Sequence, residues 1–445
     1  MLAMSRLGAP YAGVATVAAD FDRASLAEFA WGLFQRWQNF GGNSKEGWVL
    51  DALGLLGDDE TVRRLTPLIL AWPGEAGHAK AVTGVNVLAE IGTDVALMHL
   101  HGIAQRAKFR GLKTTAGEKM DEVAGALGLT GEQLADRLVP DFGLAADGSM
   151  RLDYGPRQFT VGFDEQLRPY VMDSSGKHLK ALPKPGLKDD AELAPAASKA
   201  FAALKKDVRT VAADQLRRLE RAMVTGRRWS GVDFRRLFVE HPLVWHIVRR
   251  LVWGVYDSSG ALIGAIRVAE DRSFSTVEDD ETKLADDAIV GVAHPLELDA
   301  ALPDWAEVFA DYEILQPFPQ LSRPTFALTP EEAAAGRLLR FQGLTVPTGR
   351  VIGLERRGWK REEPQDAGHQ GYIELSLATN RPVVISLDPG IAIGAIDIFP
   401  EQKLEEIFLS DGSDRWYRKD GRLPLSSLDR IAVSEVIRDL AAVTA

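Results

Sequence analysis

Apolar positions in the first third of the chain recur with a helical period. Ala52-Leu53-Gly54-Leu55-Leu56-Gly57-Asp58-Asp59 lies over Val87-Leu88-Ala89-Glu90-Ile91-Gly92-Thr93-Asp94 at an offset of about 35 residues, a spacing typical of helical-pair repeats. Val62 then falls on Leu97 and Leu65 on Leu100, so the apolar spacing after the turn is kept. Each copy predicts a helix ending at Gly57 or Gly92, where a left-handed C-cap is least strained, and a second helix N-capped by Asp58 or Thr93. Trp48, Leu50, Leu53 and Leu56 line the first helix of the pair. Val62, Leu65, Leu68 and Ile69 line its partner, with Pro67 bending it. A degraded third copy runs through Val123, Leu127, Gly128, Thr130 and Leu134. The pattern predicts a HEAT-like α-helical repeat over residues 20–140. Stacked pairs either hold another macromolecule or serve as a platform for the rest of the chain, and the pattern leaves both open.

After Pro140 the period changes to two. Short β-type runs at Met150–Asp153, Gln158–Phe163, Arg168–Met172 and His178–Leu182 alternate with turn signals and predict an antiparallel meander over 141–186. Asp189-Asp190 then opens a helical tract in which Phe201, Leu204, Val208, Val211, Leu219 and Met223 form an apolar stripe. Leu251–Tyr256 and Leu262–Val268 flank Asp257-Ser258-Ser259-Gly260 as a hairpin, Glu278-Asp279-Asp280-Glu281 with Asp286-Asp287 reads as a solvated loop, and Asp299 to Tyr312 returns to helix. Residues 187–345 are thus a mixed helical and β region. In 346–445, strands are expected at Arg350–Leu354, Gly371–Leu377, Pro382–Leu387 and Leu404–Leu409, with a capped helix over Ser426–Val443. The fold class is α+β and multidomain: a helical repeat followed by mixed helix and antiparallel sheet.

A length of 445 residues supports two to four domains, and 46% hydrophobic with 26% charged residues is an ordinary globular balance. The chain contains no cysteine, which excludes disulfides, thiolate metal sites and cysteine nucleophiles and fits a reducing compartment, the cytoplasm. Residues 1–19 are small and apolar but interrupted by Arg6, Gly8, Pro10 and Gly13, too short a stretch to span a bilayer. They read as a lead-in segment and not a signal peptide. The net charge of −11 repels nucleic acid and anionic membrane at long range, so nucleic-acid binding would need a local basic patch and no membrane partner is expected.

One such patch is predicted on the long helix, where Lys205, Arg209, Arg217 and Arg221 follow i, i+4 spacing, extended by Arg227 and Arg228. Asp207, Asp214 and Glu220 interleave it, so a solvated, salt-bridged face is the competing reading. A second candidate is the cluster Asp311, Tyr312, Glu313 and Gln316, bracketed by Trp305 and Phe318 with Arg323 nearby. Paired carboxylates there could do acid–base work if burial split their pKa values; otherwise the cluster is a helix end locked by hydrogen bonds. Trp253, Trp305 and Trp359 read as core anchors. Gly176-Lys177-His178 lacks the glycine-rich turn and Ser/Thr of a phosphate-binding loop, and no catalytic or dinucleotide motif occurs. His99 and His101, two apart on a helix, point to different faces, and His241 and His246 read as cap or core residues. No metal site is predicted, and the cofactor is left unknown.

Several blocks resemble the bacterial domain family of unknown function numbered 4132, which includes proteins labelled molybdate metabolism regulator, or MolR-like. They are Leu53–Glu60, Arg137–Leu144, Leu204–Thr210, Arg249–Gly254, His294-Pro295-Leu296, Asp311–Phe318, Arg357-Gly358-Trp359 and Ser434–Leu440. The resemblance implies a bacterial protein acting within a larger assembly, with a MoxR-type ATPase and a von Willebrand A-type protein as partners, and it supplies no known active site. The function expected from these readings is a non-enzymatic interaction or regulatory module. The alternatives are an enzyme with its site around Asp311–Arg323 and the basic helix, or nucleic-acid binding through that helix.

Overall fold

The computed structural model describes residues 20–365, 368–377, 381–412 and 422–445. The expected lead-in segment, residues 1–19, lies outside them. The chain divides into two compact units. One holds the described residues up to Phe163 and Leu167–Asp214, the other Asp164–Gln166 and Gln215–Ala445.

In the first unit, helix α1 (Arg23–Asn39) precedes α2 (Trp48–Leu56), α3 (Asp59–Ala71), α4 (His78–Ile91), α5 (Asp94–Arg106), α6 (Arg110–Ala126) and α7 (Gly131–Arg137). The first helices of successive pairs pack on one another, α2 on α4 on α6, and α3 packs on α5. Leu50, Leu53, Leu56, Val62, Leu65 and Ile69 are all buried, as their spacing requires. The turns carry the expected caps. Asp58 and Thr61 form a capping box at α3, and the Thr93 side chain accepts from the Ala96 N–H at α5. One expectation needs correcting. Gly92 is left-handed (φ 62°), but Gly57 is extended (φ −70°, ψ 161°). Gly57 answers to crowding, since a Cβ there would sit 2.4 Å from the Leu53 carbonyl oxygen.

Strands β1 (Met150–Asp153), β2 (Gln158–Phe163), β3 (Pro169–Asp173) and β4 (His178–Leu179) form an antiparallel meander in sequence order. Helix α8 (Leu193–Thr225) follows. Its start is set by Asp190, whose carboxylate accepts from the N–H groups of Glu192 and Leu193 at 2.9 and 2.8 Å. Phe201, Leu204, Val208, Val211, Leu219 and Met223 are all buried along its apolar stripe. Residues of α8 up to Asp214 belong to the first unit and those from Gln215 to the second.

The second unit contains two antiparallel sheets. Strands β5 (Trp229–Ser230), β6 (Trp253–Tyr256), β7 (Leu262–Val268), β8 (Phe274–Ser275), β9 (Glu281–Thr282) and β10 (Ile289–Val292) are ordered β5-β10-β6-β7-β8-β9. Gly254 of β6 stands opposite Gly291 of β10. Helices α9 (Pro295–Leu298) and α10 (Leu302–Asp311) add Leu298, Trp305 and Phe309 to a core with Val252 and Ala293. In the C-terminal part, β11 (Thr345–Pro347), β12 (Trp359–Arg361), β13 (His369–Leu375), β14 (Val383–Ala392), β15 (Glu401–Ser410) and β16 (Arg422–Leu423) build a sheet ordered β11-β15-β14-β13-β12, with β16 on β15. The predicted strand Arg350–Leu354 is instead the end of helix α11 (Thr348–Gly353) and the turn after it, with Val351 and Leu354 buried. A short β-branched run does not distinguish strand from helix by itself. Helix α12 (Arg430–Thr444), capped by Asp429, lays Val433, Val436, Ile437, Leu440 and Val443 into the core of this sheet beside Trp359, Ile373, Ile385 and Ile407.

Candidate functional site

The four cations proposed on α8, Lys205, Arg209, Arg217 and Arg221, are all exposed. At roughly 100° per residue, their positions turn by about 160° around the helix between Lys205 and Arg221, so the row spirals instead of making one flat face. The acids between them behave differently from the sequence expectation of a solvated, salt-bridged surface. Asp207 and Asp214 are buried: Asp207 takes the Arg63 Nε at 2.7 Å, and Asp214 faces His101 Nε2 at 3.7 Å. Glu220 accepts from Arg323 Nη1 at 2.8 Å. Burial pushes the Asp207 carboxyl up, against the pull of the Arg63 guanidinium. The Arg63 side chain on α3 therefore holds the first-unit stretch of α8, with His101 on α5 beside Asp214. His99 serves a different partner, Thr66 Oγ1 at 2.9 Å, consistent with two imidazoles on different helix faces.

The second candidate does not assemble as an acid–base site. Asp311 and Glu313 are exposed, at and just beyond the end of α10, while Arg323 is buried against other carboxylates. Tyr312 donates to Asp279, and the Arg267 guanidinium lies 4.3 Å from the Tyr312 ring centroid. The acidic stretch expected to be a solvated loop thus contributes Asp279 to a specific contact and Glu281 to β9. Gln316 donates to Gln320 and accepts from the Leu321 N–H. Gln320, fully buried, donates to the carbonyls of Val252 and Ala293 and accepts from the Val252 N–H. These bonds lock the segment after the helix end. A shallow polar depression lined by Leu339, Gln342, Gly343, Lys403, Glu405 and Glu406 includes none of the candidate residues.

What the fold does assemble is a buried ionic network. Arg323 Nε and Nη2 each lie 2.7 Å from one oxygen of Glu435 on α12. His294, fully buried, sets Nε2 3.3 Å from Glu435 Oε1. Its Nδ1 accepts from the Leu296 N–H at the start of α9, which puts the proton on Nε2. Glu297 receives the His294 N–H and the Tyr256 hydroxyl on one oxygen, each at 2.8 Å, and Arg228 Nη2 on the other, also at 2.8 Å. Arg228 stacks on the Tyr256 ring at 3.6 Å. The opposed glycines make room: a Cβ on Gly254 would sit 2.5 Å from the Tyr256 hydroxyl, and one on Gly291 2.6 Å from Arg228 Cδ. Burial opposes ionisation of Glu435, yet hydrogen bonds from Arg323 and His294 and the charges of Arg323 and Arg438 outweigh it and hold its pKa at about 2. Further along α12, Asp439 accepts from Arg357 and from the Trp359 indole at 2.7 and 2.9 Å.

Sequence reasoning placed Arg323 in a candidate site but missed Glu435, Glu297, Tyr256 and Arg228 as its surroundings. The only signal was that His294-Pro295-Leu296, Arg357-Gly358-Trp359 and Ser434–Leu440 stood among the blocks carrying the family resemblance. Trp253, Trp305 and Trp359 are buried core residues, as expected of core anchors. Among the described residues, no group of three or more His, Asp or Glu side chains is placed to hold a metal ion, and no helix is long and apolar enough to cross a membrane.

The architecture defines an α+β protein with a helical first part and antiparallel sheets after it in sequence. Residues 176–359, which contain α8, the first sheet of the second unit and much of the ionic network, match the family described as Domain of unknown function (DUF4132). The chain is also similar to the uncharacterized protein YehI of Escherichia coli (strain K12), 39% identical over 440 residues. That alignment covers 98% of this chain and 35% of YehI, so the chain spans about a third of the length of the curated relative it matches. No solved structure matches.

Proposed function

We propose that the chain is a non-enzymatic interaction or regulatory module acting within a larger bacterial assembly, and that it meets its partner through exposed cations of α8, Lys205 and Arg209 of the first unit foremost. The observation that carries this reading is the exposure of the polar groups. Arg323 is buried between Glu435 and Glu220, and Asp311 and Glu313 stand apart from it in solvent, while Lys205, Arg209, Arg217 and Arg221 are exposed, Asp207 and Asp214 are turned inward and Glu220 is bonded to Arg323. Exposed guanidinium and ammonium groups recognise acidic protein surfaces. The helical pairs read as HEAT-like repeats, and the Arg63–Asp207 and His101–Asp214 contacts favour their role as a platform for α8. The much longer relative fits a part played inside a larger protein or complex. By family resemblance the reading extends to a cytoplasmic, MolR-like protein whose partners are a MoxR-type ATPase and a von Willebrand A-type protein.

The test is affinity capture of the tagged chain from its native cells beside a variant carrying Lys205→Glu and Arg209→Glu. Loss of specific partners in the variant, with the folded protein intact, is the expected result. Identical partners in both would remove α8 as the contact surface. Turnover of a substrate that Asp311→Asn or Glu313→Gln abolishes, both positions being exposed, would return the enzyme reading to first place.

A further inference from the structure

A second set of polar groups in the second unit is used neither by the Glu435 network nor by α8. Two guanidinium groups lie over the indole of Trp245, with Arg249 Cζ 4.9 Å and Arg272 Cζ 5.1 Å from its ring centroid. The His246 imidazole meets the same indole with ring centroids 4.6 Å apart. Arg250 is held by the carbonyls of His246 and Leu315 at 3.0 and 3.1 Å, and Arg272 Nη1 donates to the Glu240 carbonyl at 3.0 Å. The outer nitrogens of Arg249 reach Glu165 at 3.0 Å and Glu270 at 3.5 Å, carboxylates whose side chains are 48% and 65% exposed.

Trp245 Nε1, His246 Nδ1 and Arg249 Nε are shut off from solvent and make no hydrogen bond. Unpartnered buried polar atoms are rare in native proteins, and each one asks for an explanation. Indole and guanidinium nitrogens only donate, and a neutral imidazole nitrogen donates when it carries the proton. Three such atoms on neighbouring side chains, edged by Arg249, Arg250 and Arg272, suit one kind of guest: a compact group that only accepts and carries negative charge. The same field acts on His246. Burial first, then Arg249, Arg250 and Arg272, lowers its pKa to about 4, with Asp164 pulling the other way.

We propose that Trp245, His246, Arg249 and Arg272 form a binding site for a small oxyanion, a phosphate or carboxylate group. In the present structure Glu165 and Glu270 stand in for it on the outer nitrogens of Arg249. Entry of the ligand displaces Glu270, the more exposed of the two, and brings the acceptor oxygens to the buried donors. The site does not depend on the role given to α8.

The test titrates the full chain, with labelled histidines, against inorganic phosphate, with acetate in a parallel series and sodium chloride matching the ionic strength. The expected result is saturable one-to-one binding with the His246 pKa rising by about one unit or more, since a bound anion favours the imidazolium. A response to phosphate alone or to acetate alone assigns the group. Glu270→Gln tightens binding several-fold, and Arg272→Gln weakens it about tenfold or more. Trp245→Phe, which keeps an aromatic ring beside the guanidinium groups but lacks the indole N–H, weakens it several-fold. A depressed His246 pKa in each ligand-free variant shows that the site has folded. The proposal fails if His246 does not respond up to about 20 mM phosphate, a range that covers weak millimolar binding. It also fails if chloride gives the same shift, or if Glu270→Gln leaves the affinity unchanged.

Discussion

Arg323 and Glu435 meet fork to fork, with two nitrogens each 2.7 Å from a separate carboxylate oxygen, although 112 positions of sequence separate them. Both side chains are buried. Such a pair ties the segment after α10 to the C-terminal helix, and its geometry gives strong directionality.

Removing one member should therefore be worse than removing both. Arg323→Met leaves the Glu435 carboxylate buried with less compensation and is expected to destabilise the second unit by about 3–5 kcal/mol, as for other broken buried pairs. The double variant Arg323→Met, Glu435→Leu should lose clearly less. Urea unfolding of both variants and of Glu435→Leu beside the parent measures the difference. A double variant that loses as much as Arg323→Met and Glu435→Leu lose singly, added together, would mean that the two groups are not coupled.

Acid should weaken the second unit through the same carboxylate. The Glu435 pKa is held at about 2, below its ordinary 4.5, so its contribution is fully present above about 4.5 and is lost as pH falls toward 2. Glu332 adds in the same direction: hydrogen bonds from Arg340 hold its pKa at about 2 despite desolvation. Urea midpoints are expected to begin falling below about pH 6.5, where the unfolded chain protonates His246 while burial and Arg249 hold its native pKa at about 4, and to drop further below pH 4.5 as Glu435 and Glu332 lose their charge. Glu435→Gln, less stable throughout, should show a shallower drop.

The opposed glycines of β6 and β10 should be unequal in their tolerance of a methyl group. At Gly254 a Cβ meets the Tyr256 hydroxyl and Leu262, which are side-chain atoms able to shift. At Gly291 it meets Arg228 and also the Arg227 carbonyl oxygen at 2.9 Å, which is backbone. Overpacking of this kind costs about 1–3 kcal/mol. Gly291→Ala is expected at the upper end and Gly254→Ala at the lower, read from thermal and urea midpoints.

Charge reversal on α8 should leave stability almost unchanged, within about 0.5 kcal/mol, because Lys205 and Arg209 are exposed. Duplex DNA binding by the full chain is expected to be weak and nearly flat with salt. A steep fall of affinity with added salt, removed by changing Arg217 and Arg221 together, would favour the nucleic-acid reading over a protein contact.

The local features were legible because their causes are local. The spacing of Leu50, Leu53, Val62 and Leu65 selects the buried side of each helix, and Asp58, Thr93 and Asp429 cap helices through bonds to N–H groups two or three residues away. Gly57 marks the limit of such reasoning. A glycine after a helix suggested a left-handed cap, while the requirement came from the approach of the Leu53 carbonyl. The run Arg350–Leu354 shows another limit, since a short apolar run fits a strand or a helix and its packing decides.

By itself, the sequence determined the helical pairs of the first part, the meander, the apolar stripe of α8 and the absence of cysteine chemistry. Only the tertiary structure decided which charges are buried and which partners they find. It turned Asp207 and Asp214 inward and left Lys205, Arg209, Arg217 and Arg221 outside. It gave Arg323 to Glu435 and not to Asp311, and set His294 3.3 Å from a carboxylate 141 positions away. The physical reason is range: periodicity and capping act over a few residues, whereas the burial of a charge is tolerated only where a distant segment supplies its counter-charge.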